Sequence, residues 1–318
     1  MLRIGHRFRR VEPRRRARAF VAGLLAGLPR KNCWSIAEHA GDTTPGGMQH
    51  LLSRARWDAD GVRDDLRGYV IEQLGDPGAV LVVDETGDVK KGTASAGVQR
   101  QYTGTAGRVE NAQVAVYLTY AAPGGHALID RELYLPRSWT AGLARCAAAG
   151  IPAGTAFATK PALARRMIAR ALDAGTPASW AVGDEVYGAE PGLRAGLETR
   201  RIGYVLAVAA SHLAATAAGR LRAGTLAARL PPLAWQRLSA GTGAKGQRWY
   251  DWAWITVEPG QPGHRWLLIR RSRRSRELAF YRCYAPAPGA AGHPGHGRRD
   301  PLEHRGEFPG QQGTDRAG

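Results

Sequence analysis

Two acidic pairs stand out by their settings. Asp84-Glu85 follows the apolar run Ala79-Val80-Leu81-Val82-Val83, and Asp184-Glu185 follows Trp180-Ala181-Val182-Gly183, one hundred positions later. A carboxylate at the end of a buried strand is costly unless something pairs with it. Two carboxylates on adjacent strand ends are suited to divalent metal, since Mg²⁺ prefers oxygen ligands and keeps several waters. A pair of such ions activates a nucleophilic water and stabilises the leaving oxygen in phosphodiester chemistry. Either Asp taken alone also fits a helix N-cap or a turn. The repetition of the arrangement points toward metal.

Basic residues surround these acids. The chain has 318 residues, with 45 Lys+Arg against 27 Asp+Glu, a formal net charge of +18 and a pI near 10.7. An excess of that size is the signature of a polyanionic partner, above all nucleic acid. Only five of the 45 are Lys, and the chain is rich in Gly, Ala and Pro, so a GC-rich coding bias accounts for part of the excess. The best candidates for phosphate contacts are Arg14, Arg15, Arg16 and Arg18, which begin a helical unit. Lys90, Lys91 and Arg100, with Gln99 and Tyr102, lie in a Gly/Thr/Ser-rich stretch after Asp84, expected to be a loop. That loop suits backbone contact near a scissile phosphate and suits a solvated hairpin equally. Arg270, Arg271, Arg273, Arg274 and Arg276 form a basic turn that fits plain solvation better than DNA tracking. Trp235, Trp249, Trp252 and Trp254 fit a core better than base stacking.

The elements that must position these groups follow from patterning. Residues 1–76 read as a small, basic, all-helical domain, with Ser35-Ile36-Ala37-Glu38 as a capping box and a later helix opening at Asp58 or Asp60. From residue 79 the pattern changes to a strand buried on both faces, then strands over Gln113–Tyr120 and Ala127–Leu135. Helices over Pro161–Ala174 and Pro191–Arg200 alternate with strands over Trp180–Gly183 and Tyr204–Ala210. Residues 211–262 are mixed and β-rich, and Arg265–Arg270 and Glu277–Tyr284 are the final strands. The sum is an α/β fold with a mixed sheet. The last stretch is mostly Gly, Pro, Arg and His, so 287–318 is expected to be a disordered tail. Cys33, Cys146 and Cys283 are too few and too scattered for a disulfide framework or a Cys-type zinc site. No run approaches the length of a membrane span and no secretory signal is expected, so the default setting is cytoplasmic or nucleoid.

Several blocks carry a resemblance. Val82-Val83-Asp84-Glu85-Thr86-Gly87-Asp88-Val89-Lys90-Lys91-Gly92, followed by Gly97-Val98-Gln99-Arg100-Gln101-Tyr102-Thr103-Gly104, resembles the first-aspartate block of bacterial DDE transposases. The closest group is the insertion-sequence 701 group, near the insertion-sequence 4 type. Arg108-Val109-Glu110-Asn111-Ala112-Gln113-Val114, Asp130-Arg131-Glu132-Leu133-Tyr134-Leu135-Pro136 and Ala181-Val182-Gly183-Asp184-Glu185-Val186-Tyr187-Gly188 match in order, and the resemblance runs from about residue 10 to residue 286. It implies a ribonuclease-H-like catalytic domain over 77–286, with a β-rich insertion at about 211–262, behind a helical DNA-binding domain over 1–76. It implies two-metal strand transfer with Mg²⁺ or Mn²⁺, with Asp84 and Asp184 as catalytic metal ligands. The implied partner is DNA, both the terminal inverted repeats of an element and its target, and a homo-oligomer is left open.

The family's third acid is a Glu on a helix after the last sheet strand, and that helix is not legible here. Glu303 and Glu307 fall in the Gly/Pro-rich tail. With one choice of synonymous codons, Asp300-Pro301-Leu302-Glu303-His304-Arg305-Gly306-Glu307-Phe308 shifted by one base reads Thr-Arg-Trp-Ser-Ile-Glu-Glu-Asn-Phe, which resembles the missing motif. The expectation is a frameshifted, truncated and catalytically defective transposase, with programmed frameshifting as a rival. The alternatives are a non-catalytic DNA-binding remnant that inhibits intact transposase, or another metal-dependent phosphoesterase.

Overall fold

The structure is a computed structural model, and it describes residues 3–243 and 246–287. The expected tail over 287–318, with Glu303 and Glu307, lies outside the described residues apart from its first position. The chain divides at Gln73/Leu74 into two compact units. No helix among the described residues is long and apolar enough to cross a membrane.

The first unit is helical: α1 (Val11–Leu25), α2 (Cys33–His39), α3 (Gly46–Ser53) and α4 (Ala59–Leu74). Two small apolar clusters hold it, Phe8, Ala17 and Leu51 in one and Ile36, Ala37 and Met48 in the other, with Phe20 packed against both. The capping box expected at Ser35 is not formed. α2 starts three residues earlier because Asn32 is a strong N-cap, and its side chain accepts from Trp34 N at 2.9 Å and Ser35 N at 3.0 Å. Asp58 caps α4 by accepting from Gly61 N at 2.8 Å.

The second unit is built on one large mixed sheet. Its strands are β1 (Val80–Val89), β2 (Gln99–Thr103), β3 (Arg108–Ala122), β4 (Gly125–Leu133), β5 (Trp180–Gly183) and β6 (Gly203–Val208). The connections between β4 and β6 carry α5 (Arg137–Thr140), α6 (Leu143–Ala148), α7 (Lys160–Asp173), α8 (Glu185–Gly188) and α9 (Pro191–Thr199). A two-stranded ribbon, β7 (Leu213–Thr216) and β8 (Gly219–Arg222), leads through α10 (Ala223–Ala228) into a meander of β9 (Gln236–Gly243), β10 (Gly246–Thr256), β11 (His264–Ser272) and β12 (Leu278–Ala285). The sheet runs β2-β3-β1-β5-β6-β12-β11-β10-β9, with β4 also paired to β3. β1, β5 and β6 are mutually parallel, and β3 and β12 flank them antiparallel. This is a ribonuclease-H-like mixed sheet extended by the meander beyond β6.

The two faces of this sheet differ. On β3, Val114, Val116, Leu118 and Tyr120 are buried while their alternates are half-buried. The buried face continues through Leu81 and Val83, then Ala181, then Tyr204 and Leu206, which the pairing registers place in rows. Against these strands lie α7, α8 and α9. α7 presents Leu163, Ala164, Met167, Ile168 and Ala171, all buried, in the i, i+4 pattern of an amphipathic helix.

β1 is longer than the apolar run predicts. Asp84 is in mid-strand rather than after the strand, because β3 pairs with β1 along its whole length, from Val80↔Ala121 to Val89↔Ala112. It is β5 that stops, pairing only Val80–Val83. The stretch expected as a loop is likewise shorter. Gln99 to Thr103 form β2, with Arg100 opposite Asn111, so only residues 90–98 connect the two strands. That connection is pinned. Asn111 Nδ2 donates to Lys90 O at 2.7 Å and Gly92 O at 2.9 Å, and the buried Trp139 donates its indole N–H to Val98 O at 2.9 Å.

Candidate active site

The site forms where the parallel pairing of β1 and β5 ends. Val83 is level with Gly183, so the next residues of each chain, Asp84 and Asp184, emerge side by side. β5 gives way at once to α8, for which Asp184 is the N-cap, accepting from Val186 N at 2.9 Å. α8 is held tight against β6 by Gly188, where a Cβ would lie 1.9 Å from Ala207 O. Gly183 is equally confined, since a Cβ there would lie 2.8 Å from Val83 Cγ2. The two glycines of the Gly183-to-Gly188 block thus set the height and direction of the second aspartate.

One carboxylate oxygen each from Asp84, Glu85 and Asp184 lie within 4.8 Å of one another, and no other such acidic group occurs among the described residues. Desolvation at its inner edge pushes the Asp84 carboxyl above the ordinary range, although the residue as a whole is exposed; the Glu85 backbone N–H and Lys160 oppose the rise and the Glu85 charge adds to it. Burial likewise raises Asp184, reinforced by the charges of Glu85 and Asp84. Burial is the leading cause of both shifts, and the neighbouring carboxylate charges add to each.

Sequence reasoning missed the residues behind the aspartates. Glu85 shares a row with Val116 on the helix-covered face, one position round from Asp84 in the pleat. Its Oε1 accepts from Lys160 Nζ at 2.7 Å and its Oε2 from the Tyr187 hydroxyl at 2.5 Å. Tyr187 is fully buried, and burial with the nearby Glu85 charge raises its hydroxyl pKa, so it remains a donor. Lys160 is the first residue of α7, after a Thr159 cap that accepts from Ala162 N at 3.3 Å. The one available signal was the placement of Tyr187 three residues after the second aspartate, on the first turn of the helix it caps.

The donor set fits a hard divalent cation. Three carboxylates face a single ammonium, leaving a surplus of two negative charges, and all the donors are oxygens, as Mg²⁺ and Mn²⁺ require.

The basic candidates fall in separate places. On α1, Arg15 and Arg18 are exposed, Arg14 donates to Phe8 O at 3.0 Å, and Arg16 is half-buried, turned toward Gly47 of α3. In the second unit, Arg100 and Lys91 are exposed, and Lys90 N pairs with Asn111 O at 2.8 Å, so that Lys90 and Arg100 flank Asn111 from opposite sides of β3. The basic turn after β11 is partly neutralised: Arg271 pairs with Asp251 at 3.0 Å, and Arg273 and Arg276 each lie 3.9 Å from it. Of the tryptophans, Trp252 is buried and Trp235 packs against the core of the meander, whereas Trp249 and Trp254 are exposed.

A family model described as DDE superfamily endonuclease matches residues 5–254, more than half of the chain. A Microchaete diplosiphon protein described as the probable transposase for insertion sequence element IS701 is 29% identical over 192 residues, 60% of this chain and 47% of that protein. The chain thus spans about half the length of the curated relative it matches. Paired aspartates at the end of a parallel strand pair, set in a ribonuclease-H-like sheet and covered by that family match, place the chain in the DDE endonuclease superfamily.

Proposed function

We propose that this chain acts on DNA as the transposase of an insertion sequence does, holding Mg²⁺ or Mn²⁺ on Asp84 and Asp184. The observation that carries the reading is the convergence of these two carboxylates beyond Val83 and Gly183, in a site whose negative charge is undercompensated. A divalent ion bound there supplies a Lewis acid that polarises a phosphodiester and lowers the pKa of an attacking water. Asp184, fixed as a helix cap, and Asp84, fixed in mid-strand, orient it. The helical unit, in our reading residues 1–76, grips the terminal inverted repeats through Arg14, Arg15, Arg16 and Arg18. Lys90, Lys91 and Arg100 meet the backbone nearer the acids, within a catalytic domain of residues 77–286 whose insertion covers about 211–262. Target DNA is the second partner, a homo-oligomer fits the same role, and the place of action is the nucleoid.

Within this reading the chain binds DNA without cutting it. The third acid close to the pair, Glu85, has both oxygens occupied by Lys160 and Tyr187. The shifted reading of residues 300–308 supports a frameshift as the origin of the defect. Gel-shift on terminal inverted repeats is expected to give a specific complex, and Mg²⁺- or Mn²⁺-dependent nicking is expected to be absent. Robust nicking that is lost in Asp84→Ala would overturn the inactive reading. Absence of any complex with element ends would overturn the DNA-end reading. The nucleotide sequence after codon 286 tests the frameshift: no Glu-bearing helix in a shifted frame refutes it.

A further inference from the structure

Glu85 is the member of the acidic group that neither family position nor exposure explains. Its carboxylate is spanned between Lys160, 75 residues away in sequence, and Tyr187, 102 residues away. Both partners are fixed. Tyr187 is fully buried on α8, and Lys160 opens α7 between the Thr159 cap and Pro161. The Lys160 side chain is 21% exposed and that of Glu85 18% exposed, so the pair is sheltered from bulk water. Lys160 is also close enough to act on the Asp84 carboxylate. An ammonium held at a cluster of acids is electrostatically a permanent monovalent cation.

We propose that Lys160 is a positioning residue that serves as an internal counter-cation of the acid cluster, with Glu85 as its anchor and Tyr187 as the pin. Together they hold the charge of the site at the value one divalent ion neutralises. Glu85 is then a support for the cation site and is not one of its ligands. This inference rests on the metal-centre reading above. It goes beyond that reading by assigning Lys160, Glu85 and Tyr187 roles and by fixing the sign of their effects. A merely structural ion pair would make Lys160→Met and Glu85→Gln equivalent, because each breaks the same contact. As a charge-setting device the two act oppositely. Lys160→Met removes a positive charge and releases Glu85 toward the ion, whereas Glu85→Gln leaves the ammonium unopposed beside Asp84 and Asp184.

The test is Mn²⁺ binding by the full-length chain, followed by electron paramagnetic resonance of free Mn²⁺, with circular dichroism confirming the fold. Lys160→Met is expected to tighten binding about tenfold and Glu85→Gln to weaken it about tenfold, as one unit charge a few ångströms away predicts after partial screening. The double variant returns to within about threefold of the parent, because its net charge is restored. Lys160→Arg, which keeps the cation, also binds like the parent, and Lys160→Gln replaces Lys160→Met if the latter does not fold. Shifts in the same direction for the two single variants, or no shift in either, overturn the counter-cation role. Failure of the parent chain to bind Mn²⁺, or binding undiminished in Asp84→Asn, overturns the metal-centre reading beneath it.

Discussion

Asp184→Asn is expected to make the metal-free protein more stable while abolishing its response to divalent cations. The substitution keeps the N-cap, since Asn accepts the Val186 N–H as well as Asp does. It removes one negative charge whose nearest carboxylate neighbours lie within 4.8 Å. Two unit charges at that distance repel by about 3.5 kcal/mol at an effective dielectric of about 20. Asp84 is exposed and Lys160 offsets Glu85, so screening reduces the gain to roughly 1–2 kcal/mol. For a unit of this size that is a rise in Tm of about 2–8 °C. The pH dependence has a definite sign. The carboxyl of Asp184 is raised on folding, so its ionisation costs stability as pH climbs through the folded-state pKa. The variant's advantage is therefore largest at neutral pH and vanishes below the ordinary carboxylate range. Differential scanning calorimetry without metal and with Mn²⁺ reads both effects. Saturation at about a hundred times Kd adds roughly 2.7 kcal/mol to the parent and nothing to the variant. A variant less stable than the parent without metal, or one stabilised equally by Mn²⁺, would refute the reasoning.

Three further outcomes follow from the geometry. Gly188→Ala drives a methyl into Ala207 O, and chemical denaturation is expected to show a loss of at least about 2–3 kcal/mol, with Mn²⁺ binding weakened as α8 moves. Arg170→Met removes one partner of Asp130, a buried carboxylate that Arg170 meets at 2.8 Å on its way to Glu132 and that also accepts from Arg131 N at 2.8 Å. A loss of about 1–3 kcal/mol in urea unfolding is expected. Arg15→Ala with Arg18→Ala, both exposed on α1, is expected to weaken DNA binding uniformly across sequences and to lower the slope of log K against log salt by about two. An unchanged slope removes α1 from the DNA contact.

What could be read from the amino acids depended on whether the governing interaction is local. The strand Trp180–Gly183 and the helices over 160–173 and 191–199 follow apolar runs or amphipathic spacing punctuated by Pro and Thr, and their bounds match the expectation within a residue. Asp84 and Asp184 were legible because each abuts such a run. The continuation of β1 to Val89 was not, because Glu85, Gly87 and Asp88 are poor strand formers that the long ladder with β3 keeps extended. α3 was overlooked since Pro45-Gly46-Gly47 reads as a break. The Ser35 cap lost to Asn32, three residues earlier, a competition among neighbours that a motif match does not weigh. Lys160 left no trace at the level of spacing, and Tyr187 only its place three residues after Asp184, because their meeting at Glu85 is created by the crossovers that bring α7 and α8 onto one face of the sheet.

Asp84 and Glu85 are neighbours in sequence yet belong to alternate rows of the sheet, one level with Tyr117 and the other with Val116. Strand pairing is therefore what distinguishes the acid set beside Asp184 from the acid aimed at Lys160. A slip of β1 by a single residue would exchange the two and, at the same stroke, turn Leu81 and Val83 away from the helices. The long ladder to β3 and the short one to β5 act in this sense as a proofreading device. Deleting or inserting one residue between Val80 and Val83 would leave every acid in the chain and still dismantle the site.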